Sequence, residues 1–449
     1  MLLALQFSAP TLIPLVCSIG LMILLTLWGR VPLRYNLRNL TVRWLTTLLT
    51  AIGFVLVIGL LTVMLAFVNG MYVLTQSTGV PGNVLVISEG FQDESISNLP
   101  NDTVTDVMLQ PGIVRDEKER PLASTETYLI VVQPIENQES GRVAGRRFLP
   151  VRGVDDIEIA AEVHKMSLDS GRWLSREGVT SLGEGQPDAL EAMIGVGMAR
   201  ELGSTRTREQ LAAAKDKERL GVGEFFTLGE RKFLVVGVMA STGSAFDSEI
   251  WAKRSIVAPM FGKDSYSSVV LRAAGPQEAQ ELKRYLNNDY AKSVQAFVET
   301  EYFANMQETG KQFLYAIIVF AAVMSIGGLF GVMNTMFATV AQRSRDIGVL
   351  RMLGFSRLEV LASFLVESLC LSLLGGALGC LIGAWWADGY TVKSIVGGGA
   401  GGGKMVTLDM VVSGDILAVG LSVSLIIGAI GGLLPAISAM LVKPLYSLR

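Results

Sequence analysis

The sequence predicts an α-helical transmembrane bundle, four core spans plus an extra N-terminal span, carrying one large extracytoplasmic α+β domain. Three observations predict it. Half of the 449 residues are apolar and only 18% are charged, an unusual balance for a soluble chain of this length. The apolar residues gather at the two ends, while nearly all the acids lie between them. Arginine clusters recur beside alternate apolar runs, as a multi-pass topology requires.

A spanning helix needs about 20 mostly apolar residues. Residues 12–28 form the first apolar run, short and containing Pro14. A span is expected there instead of a signal peptide, because a basic leading region and a small-residue cleavage site are both missing. In residues 33–44, Leu33, Leu37, Leu40 and Trp44 recur at helical spacing beside Arg34, Arg38 and Arg43, which predicts an amphipathic helix lying at the membrane interface. Residues 45–68 are the next span. Residues 71–312 form the α+β domain, with strands expected at 83–88, 127–132, 148–153, 232–238 and 268–272 from their β-branched content and flanking turn residues. Helices are expected at 188–202, 207–220 and 276–287, the second as a solvated or inserted helix. The domain ends in a helical stalk, residues 300–312, that leads directly into the span at 313–338.

The connection at 341–357 carries Arg343, Arg345, Arg351 and Arg357 against the single acid Asp346. Spans at 358–387 and 416–439 follow, separated by a glycine-rich loop at 388–415, and residues 440–449 end the chain with Lys443 and Arg449. The positive-inside rule places the basic segments around Arg30–Arg43, 341–357 and 440–449 in the cytoplasm and 71–312 outside.

That topology decides the reading of IVGGGAGGGKMV, where Gly398, Gly403 and Lys404 satisfy most of a phosphate-loop pattern. The run falls on the outer face, where there is no ATP. It follows a membrane helix instead of a strand, and Met405 replaces the hydroxyl that would hold Mg²⁺. A flexible outer loop is expected. Any ATP and Mg²⁺ chemistry therefore belongs to another chain, and this chain is expected to bind no cofactor itself.

Cys17, Cys370 and Cys380 all lie in apolar runs and read as packing residues. The single His164 has no partner histidine, so no metal site is expected. Neither an H-E-x-x-H nor a G-x-S-x-G motif occurs; a Ser–Lys hydrolase is not excluded by counting, but no span places such a pair. A net charge of −3 gives nucleic acid no electrostatic footprint. Within the spans, Gly327 with Gly331, Gly375 with Gly379 and Gly383, and Gly428 with Gly432 repeat every four residues, the spacing of close helix–helix packing. Glu367 is an intramembrane carboxylate, which reads either as a functional group or as a structural hydrogen-bond partner of a neighbouring helix through Asn334.

The stretch AQRSRDIGVLRMLGFSRLEVLASFLVESL resembles the most characteristic segment of the MacB/FtsX-like ABC transporter permeases, in which R-x-R-E-I-G-x-L-R-A-L-G-x-S precedes a glutamate-bearing span. Arg345, Asp346, Ile347, Gly348, Leu350, Arg351, Leu353, Gly354 and Ser356 match, with Asp where Glu is commoner. The N-R-N-L-like start at Asn36–Leu40, G-x-x-N-T-M at Gly331–Met336, SEIWAKRSIVAPMF at Ser248–Phe261 and the closing PAISAMLVKPLYSLR agree in order.

The resemblance implies that 341–357 is a short coupling helix seated in a groove of a separate cytoplasmic ABC ATPase. Ile347, Leu350 and Leu353 would supply its apolar contact. It further implies a second permease copy, a homodimer in the inner membrane, and a periplasmic membrane-fusion adaptor as a further partner. Such a machine passes ATP-driven motion to its outer domains for export, or for extraction of a substrate from the outer leaflet or periplasm. The alternative is transmembrane signalling to a cell-wall hydrolase or sensor kinase without transport; a self-contained intramembrane enzyme is a distant third. Family members typically have four spans, so 12–28 and the 207–220 helix are departures.

Overall fold

The computed structural model describes residues 8–28, 44–136, 143–183, 188–204, 206, 211–212, 214, 216–396 and 404–442. The expected interfacial helix at 33–44 therefore lies outside the described residues except for Trp44, as do the glycine run 397–403 and the basic tail beyond residue 442. The elements are α1 (Ala9–Trp28), α2 (Trp44–Ser77), β1 (Asn83–Ser88), α3 (Asn101–Val107), β2 (Ala123–Glu136), β3 (Val143–Val154), α4 (Ile157–Val163), β4 (Leu168–Gly171) and β5 (Val179–Thr180). There follow β6 (Ala189–Gly195), α5 (Val196–Ser204), β7 (Phe225–Leu228), β8 (Arg231–Met239), β9 (Ile250–Lys253), α6 (Arg254–Met260), β10 (Ser268–Arg272), α7 (Pro276–Asn288) and β11 (Val294–Val298). The chain continues through α8 (Glu299–Gln342), α9 (Ser344–Met352), α10 (Arg357–Ala387), the ribbon β12 (Thr391–Val396) and β13 (Lys404–Asp409), and α11 (Gly414–Met440).

Two compact units result. One is helical, within Met1–Gly70, Gln312–Tyr390 and Asp409–Arg449; the other is α+β, within Met71–Lys311 and Thr391–Leu408. Among the described residues, five helices are long and apolar enough to cross a membrane: Pro10–Leu27, Thr47–Leu74, Leu314–Gln342, Arg357–Ala387 and Gly414–Met440.

In the helical unit, glycines let α10 and α11 approach until serines fill the space a side chain would take. A Cβ on Gly428 would lie 2.3 Å from Ser372 Oγ, one on Gly432 2.6 Å from Ser368 Oγ, and one on Gly376 2.5 Å from Ser424 Oγ. Those serines then bond across the seam, Ser368 Oγ donating to Gly428 O at 2.6 Å and Ser424 Oγ to Ser372 O at 2.7 Å. On the next face Gly375, Gly379 and Gly383 receive α2 at Phe54, Ile58, Gly59 and Thr62. Gly327 and Gly331 differ: among the described residues nothing comes within 4 Å of a Cβ built there, so this pair packs against no described helix of its own chain. Helix α1 lies against α10 and α11, and Asp415 at the start of α11 accepts from Ser8 N at 2.7 Å and Thr11 Oγ1 at 2.5 Å.

The α+β unit is built on an 11-stranded sheet in the order β11-β1-β10-β2-β3-β9-β6-β8-β4, with β5 on β6 and β7 on β8. Most neighbours are antiparallel; β3–β9 and β6–β8 are parallel. Hydrophobic cores form at the two ends of this sheet. One gathers Val84, Val86, Val269, Leu271, Leu282 and Val298, the other Val151, Ile194, Leu202, Phe233, Ile250 and Val257.

Three sequence expectations are corrected here. The helix expected over 188–202 is a strand, β6, followed by the short α5. ALEAMIG favours a helix locally, but it is buried between β8 and β9, and sheet pairing overrides propensity. The described part of 207–220 is not a continuous helix: residues 211 and 212 are helical and 216–220 are bends and coil. Arg206 holds that segment, donating to Asp216 O at 2.7 Å, and Leu220 is buried in the core. The segment 388–415, expected as a loop, includes the paired strands β12 and β13.

Candidate functional site

The connection between the third and fourth long apolar helices, α8 and α10, folds as α9 because each end is specified locally. Arg343 forms a one-residue break after α8, at φ −104. Its N–H still donates to Thr339 O and Val340 O of α8, while its carbonyl accepts Ile347 N at 3.0 Å within α9. At the other end Gly354 adopts φ +96, a left-handed position that favours glycine after a helix C-terminus. Two residues later Ser356 caps α10 in a reciprocal box, its hydroxyl accepting Glu359 N at 3.2 Å while Glu359 Oε2 accepts Ser356 N at 2.6 Å. The L-G-x-S part of the motif is thus a stop signal and a start signal that fix the exit of α9.

The faces of α9 differ. Ile347 is 1% exposed and packs with Val340, Met336, Val360, Phe364, Ala436 and Ala439; Gly348 is buried beside it. Arg345, Asp346, Val349, Met352 and Leu353 are exposed, Leu353 at 72%, with Leu350 and Arg351 half-buried. Their spacing puts the exposed group on one stripe of the helix. This corrects the expectation that Ile347 lends its side chain to an external contact. It belongs to the bundle, and the apolar part of the free face is Val349, Met352 and Leu353.

Glu367 is buried, and its partner is not Asn334, which is exposed. Arg343 Nη1 donates to Glu367 Oε2 at 2.8 Å, with the two side chains 5% and 7% exposed. The guanidinium also lies over the Phe364 ring, 5.1 Å from its centroid. From sequence alone Arg343 is one of the arginines that set topology; the structure gives it this ion pair as well. The available signal was its position: it opens the R-x-R motif directly before the helix whose partner span bears the acid.

A second set of charges lies inside the α+β unit. Arg152 on β3, 1% exposed, clasps Glu249 through Nε at 2.7 Å and Nη2 at 2.8 Å, holds both oxygens of Glu94 at 3.1 Å, and reaches Glu126 on β2. Tyr128, Phe246 and Trp251 surround the guanidinium at 5.0, 5.4 and 5.7 Å. His164 Nε2 meets Glu126 Oε1 at 2.6 Å, and Nδ1 lies 3.2 Å from Glu299 Oε1, off the hydrogen-bond direction. Glu299, the first residue of α8, also accepts from Val80 N and Asn83 Nδ2. Burial alone would neutralise these groups, but the opposing charges win. Arg152 and His164 hold Glu126 at about 2, and Glu126 with Glu299 raises His164 to about 9.

This cluster is not legible in the sequence, because Glu94, Glu126, Arg152, His164, Glu249 and Glu299 are far apart in the chain. No spacing rule joins them. It is a buried network of paired charges, and among the described residues no group of three or more His, Cys, Asp or Glu side chains is arranged to hold a metal.

The model of the MacB-like periplasmic core domain matches residues 47–289, and that of the FtsX-like permease C-terminal region matches residues 318–446. The chain is 25% identical over 430 residues to an ABC transporter permease, YknZ, of Bacillus subtilis (strain 168), covering 93% of this chain and 98% of that one. It is 27% identical over 295 residues to the macrolide export ATP-binding/permease protein MacB of Bdellovibrio bacteriovorus, covering 62% of this chain but only 41% of that relative. A crystal structure of the extracellular domain of the noncanonic ABC-type transporter YknZ from Gram-positive bacteria aligns to 48% of this chain and 99% of its own, at 11% identity and a TM-score of 0.31. With one model matching more than half of the chain and the other most of the remainder, the chain belongs to the MacB/FtsX-type ABC transporter permeases.

Proposed function

We propose that this chain is the transmembrane subunit of an inner-membrane ABC exporter whose ATP is hydrolysed by a separate cytoplasmic ATPase. The observation that carries the reading is the two-faced α9. One face is anchored in the bundle by Ile347, and the other presents Val349, Met352 and Leu353 beside Arg345 and Asp346, an apolar centre with charges at its edge. That composition suits docking into a protein groove, where buried apolar contact supplies affinity and flanking charges supply register. Membership of the ABC transporter permease family supports an ABC ATPase partner that brings the nucleotide site. ATP and Mg²⁺ are then held by that partner and not by this chain.

In this reading the α+β unit lies outside the cytoplasm and moves when the ATPase closes, driving export or extraction of a substrate from the membrane or periplasm. Two permease copies form the assembly, and the Gly327–Gly331 face of α8, which no described residue of the chain fills, is the surface on which a second copy packs. A membrane-fusion adaptor completes the path.

The test is a mild-detergent pull-down of the tagged chain from its native membrane, with partners identified by mass spectrometry. A small ABC ATPase is expected with the wild type and is lost from the Val349→Asp/Leu353→Asp variant, which keeps its membrane fold because both side chains face outward. Capture of the ATPase by that variant would overturn the docking face. An ATPase recovered together with a cell-wall hydrolase or sensor kinase would replace export by signalling.

A further inference from the structure

Arg343 has an unusual position. Its backbone is the last hydrogen-bonded residue of α8 and also the first carbonyl of α9, so it cannot move with one helix and not the other. Its side chain leaves this junction and ends on a third helix, α10, at Glu367 and over Phe364 one turn earlier. One turn further along α9, Ile347 enters the same core, against Val360 and Phe364 of α10 and Ala436 and Ala439 of α11. Three helices thus meet at one ion pair that water scarcely reaches.

An ion pair in that setting is a stiff connection. Separating it leaves two charges in an apolar surround, where each is costly alone. A displacement of α9 therefore carries Glu367 with it more easily than it breaks the contact. From Glu367 the route continues through close-packed backbone. Ser368 bonds Gly428 O on α11, and Gly375, Gly379 and Gly383 seat α2. Interdigitated helices of this kind shift as units instead of deforming continuously.

We propose that Arg343 and Glu367 are positioning residues forming the pivot through which displacement of α9 reaches α10 and the rest of the bundle. Their role is the transfer of motion. Substrate contact and proton relay have no part in it. The proposal rests on the reading of α9 as the ATPase-docking helix, and its test separates the two.

The full-length chain is reconstituted in nanodiscs with the ATPase recovered by pull-down, and two quantities are measured: retention of the ATPase, and stimulation of its ATP turnover by the permease. Glu367→Ala is expected to keep the ATPase, because the free face of α9 is untouched, and to lose about tenfold in stimulation, within the usual range of coupling between sites. The exchange Arg343→Glu/Glu367→Arg is expected to recover most of the loss. In parallel, on the chain in nanodiscs without the ATPase, whose docking face the label would alter, spin labels replace Leu353 at the C-terminal end of α9 and Leu374 on α10, both exposed, after the three native cysteines have been changed to serine. The distance distribution between them is expected to be narrow in the wild type, broad in Glu367→Ala and narrow again in the exchange variant. Glu367→Gln is the control for variants that fail to fold: it keeps an acceptor for Arg343, folds, and lies between wild type and Glu367→Ala in both readouts.

Wild-type stimulation in Glu367→Ala and Glu367→Gln would overturn the pivot. So would lost stimulation with an unchanged distance distribution, because Glu367 would then act by another route. If the wild type captures no ATPase, the docking reading fails, and the distance distributions alone decide the pivot.

Discussion

Replacing His164 with Gln removes one of the two cations, His164 and Arg152, of the buried charge cluster in the α+β unit while keeping a polar side chain of similar size. In the folded chain His164 is raised from 6.5 to about 9, at about 1.4 kcal/mol per pH unit. Its charge with Glu126 and Glu299 therefore contributes on the order of 3 kcal/mol to the stability of this unit. Because the folded value lies above the unfolded one, that contribution is complete below pH 6.5 and is lost as pH rises through about 9. Hydrogen-exchange mass spectrometry of the full chain in nanodiscs measures this directly. The opening free energy of β2, β3 and β9, which carry or flank Glu126, Arg152 and Trp251, is followed from pH 6 to 9.5 after correction for intrinsic exchange. Wild-type opening should become easier as the pH rises through that window, whereas His164→Gln should open more easily at pH 6 and show little further change. Equal opening energies for the two proteins at pH 6, or a flat wild-type profile, would refute the charged-histidine argument. At the acid end the sign reverses. Glu126, held at about 2, adds stability above its ordinary carboxylate value that is lost as pH falls towards 2.

Three further outcomes are expected. Gly428→Val should destabilise the bundle by several kcal/mol, because even a Cβ there meets Ser372 Oγ at 2.3 Å; thermal unfolding in detergent measures it. Gly327→Leu/Gly331→Leu should leave the unfolding temperature of the detergent-solubilised monomer unchanged, since none of the described residues occupies that space, while reducing dimer recovery by disulfide-free chemical cross-linking. Lys404→Ala should leave ATP turnover by the assembled complex unaltered; a large loss would revive a phosphate site at the Gly398–Lys404 run.

The sequence alone was sufficient for the apolar helices, because a run such as Arg357–Ala387 is long enough and apolar enough to be recognised without knowing its neighbours. The strands at Asn83–Ser88 and Ser268–Arg272 were legible for a related reason: β-branched residues between turn signals describe a strand locally. The stretch ALEAMIG was not legible. Its preference is helical, and only pairing with β8 and β9 makes it β6.

At the candidate site the division is similar. The motif announced α9, and Gly354 and Ser356 with Glu359 fixed its exit, because helix ends are set by residues three or four apart. Which side of α9 is free depended on Val360, Phe364 and Ala436, which belong to other helices. That Glu367 answers Arg343 and not Asn334 depended on the turn at residue 343. The charges around Arg152 and His164 come from six separate places in the chain, and an ion pair leaves no periodic trace in sequence. Patterning over a few turns is written in the order of residues; the meeting of distant side chains is decided only when the chain closes on itself.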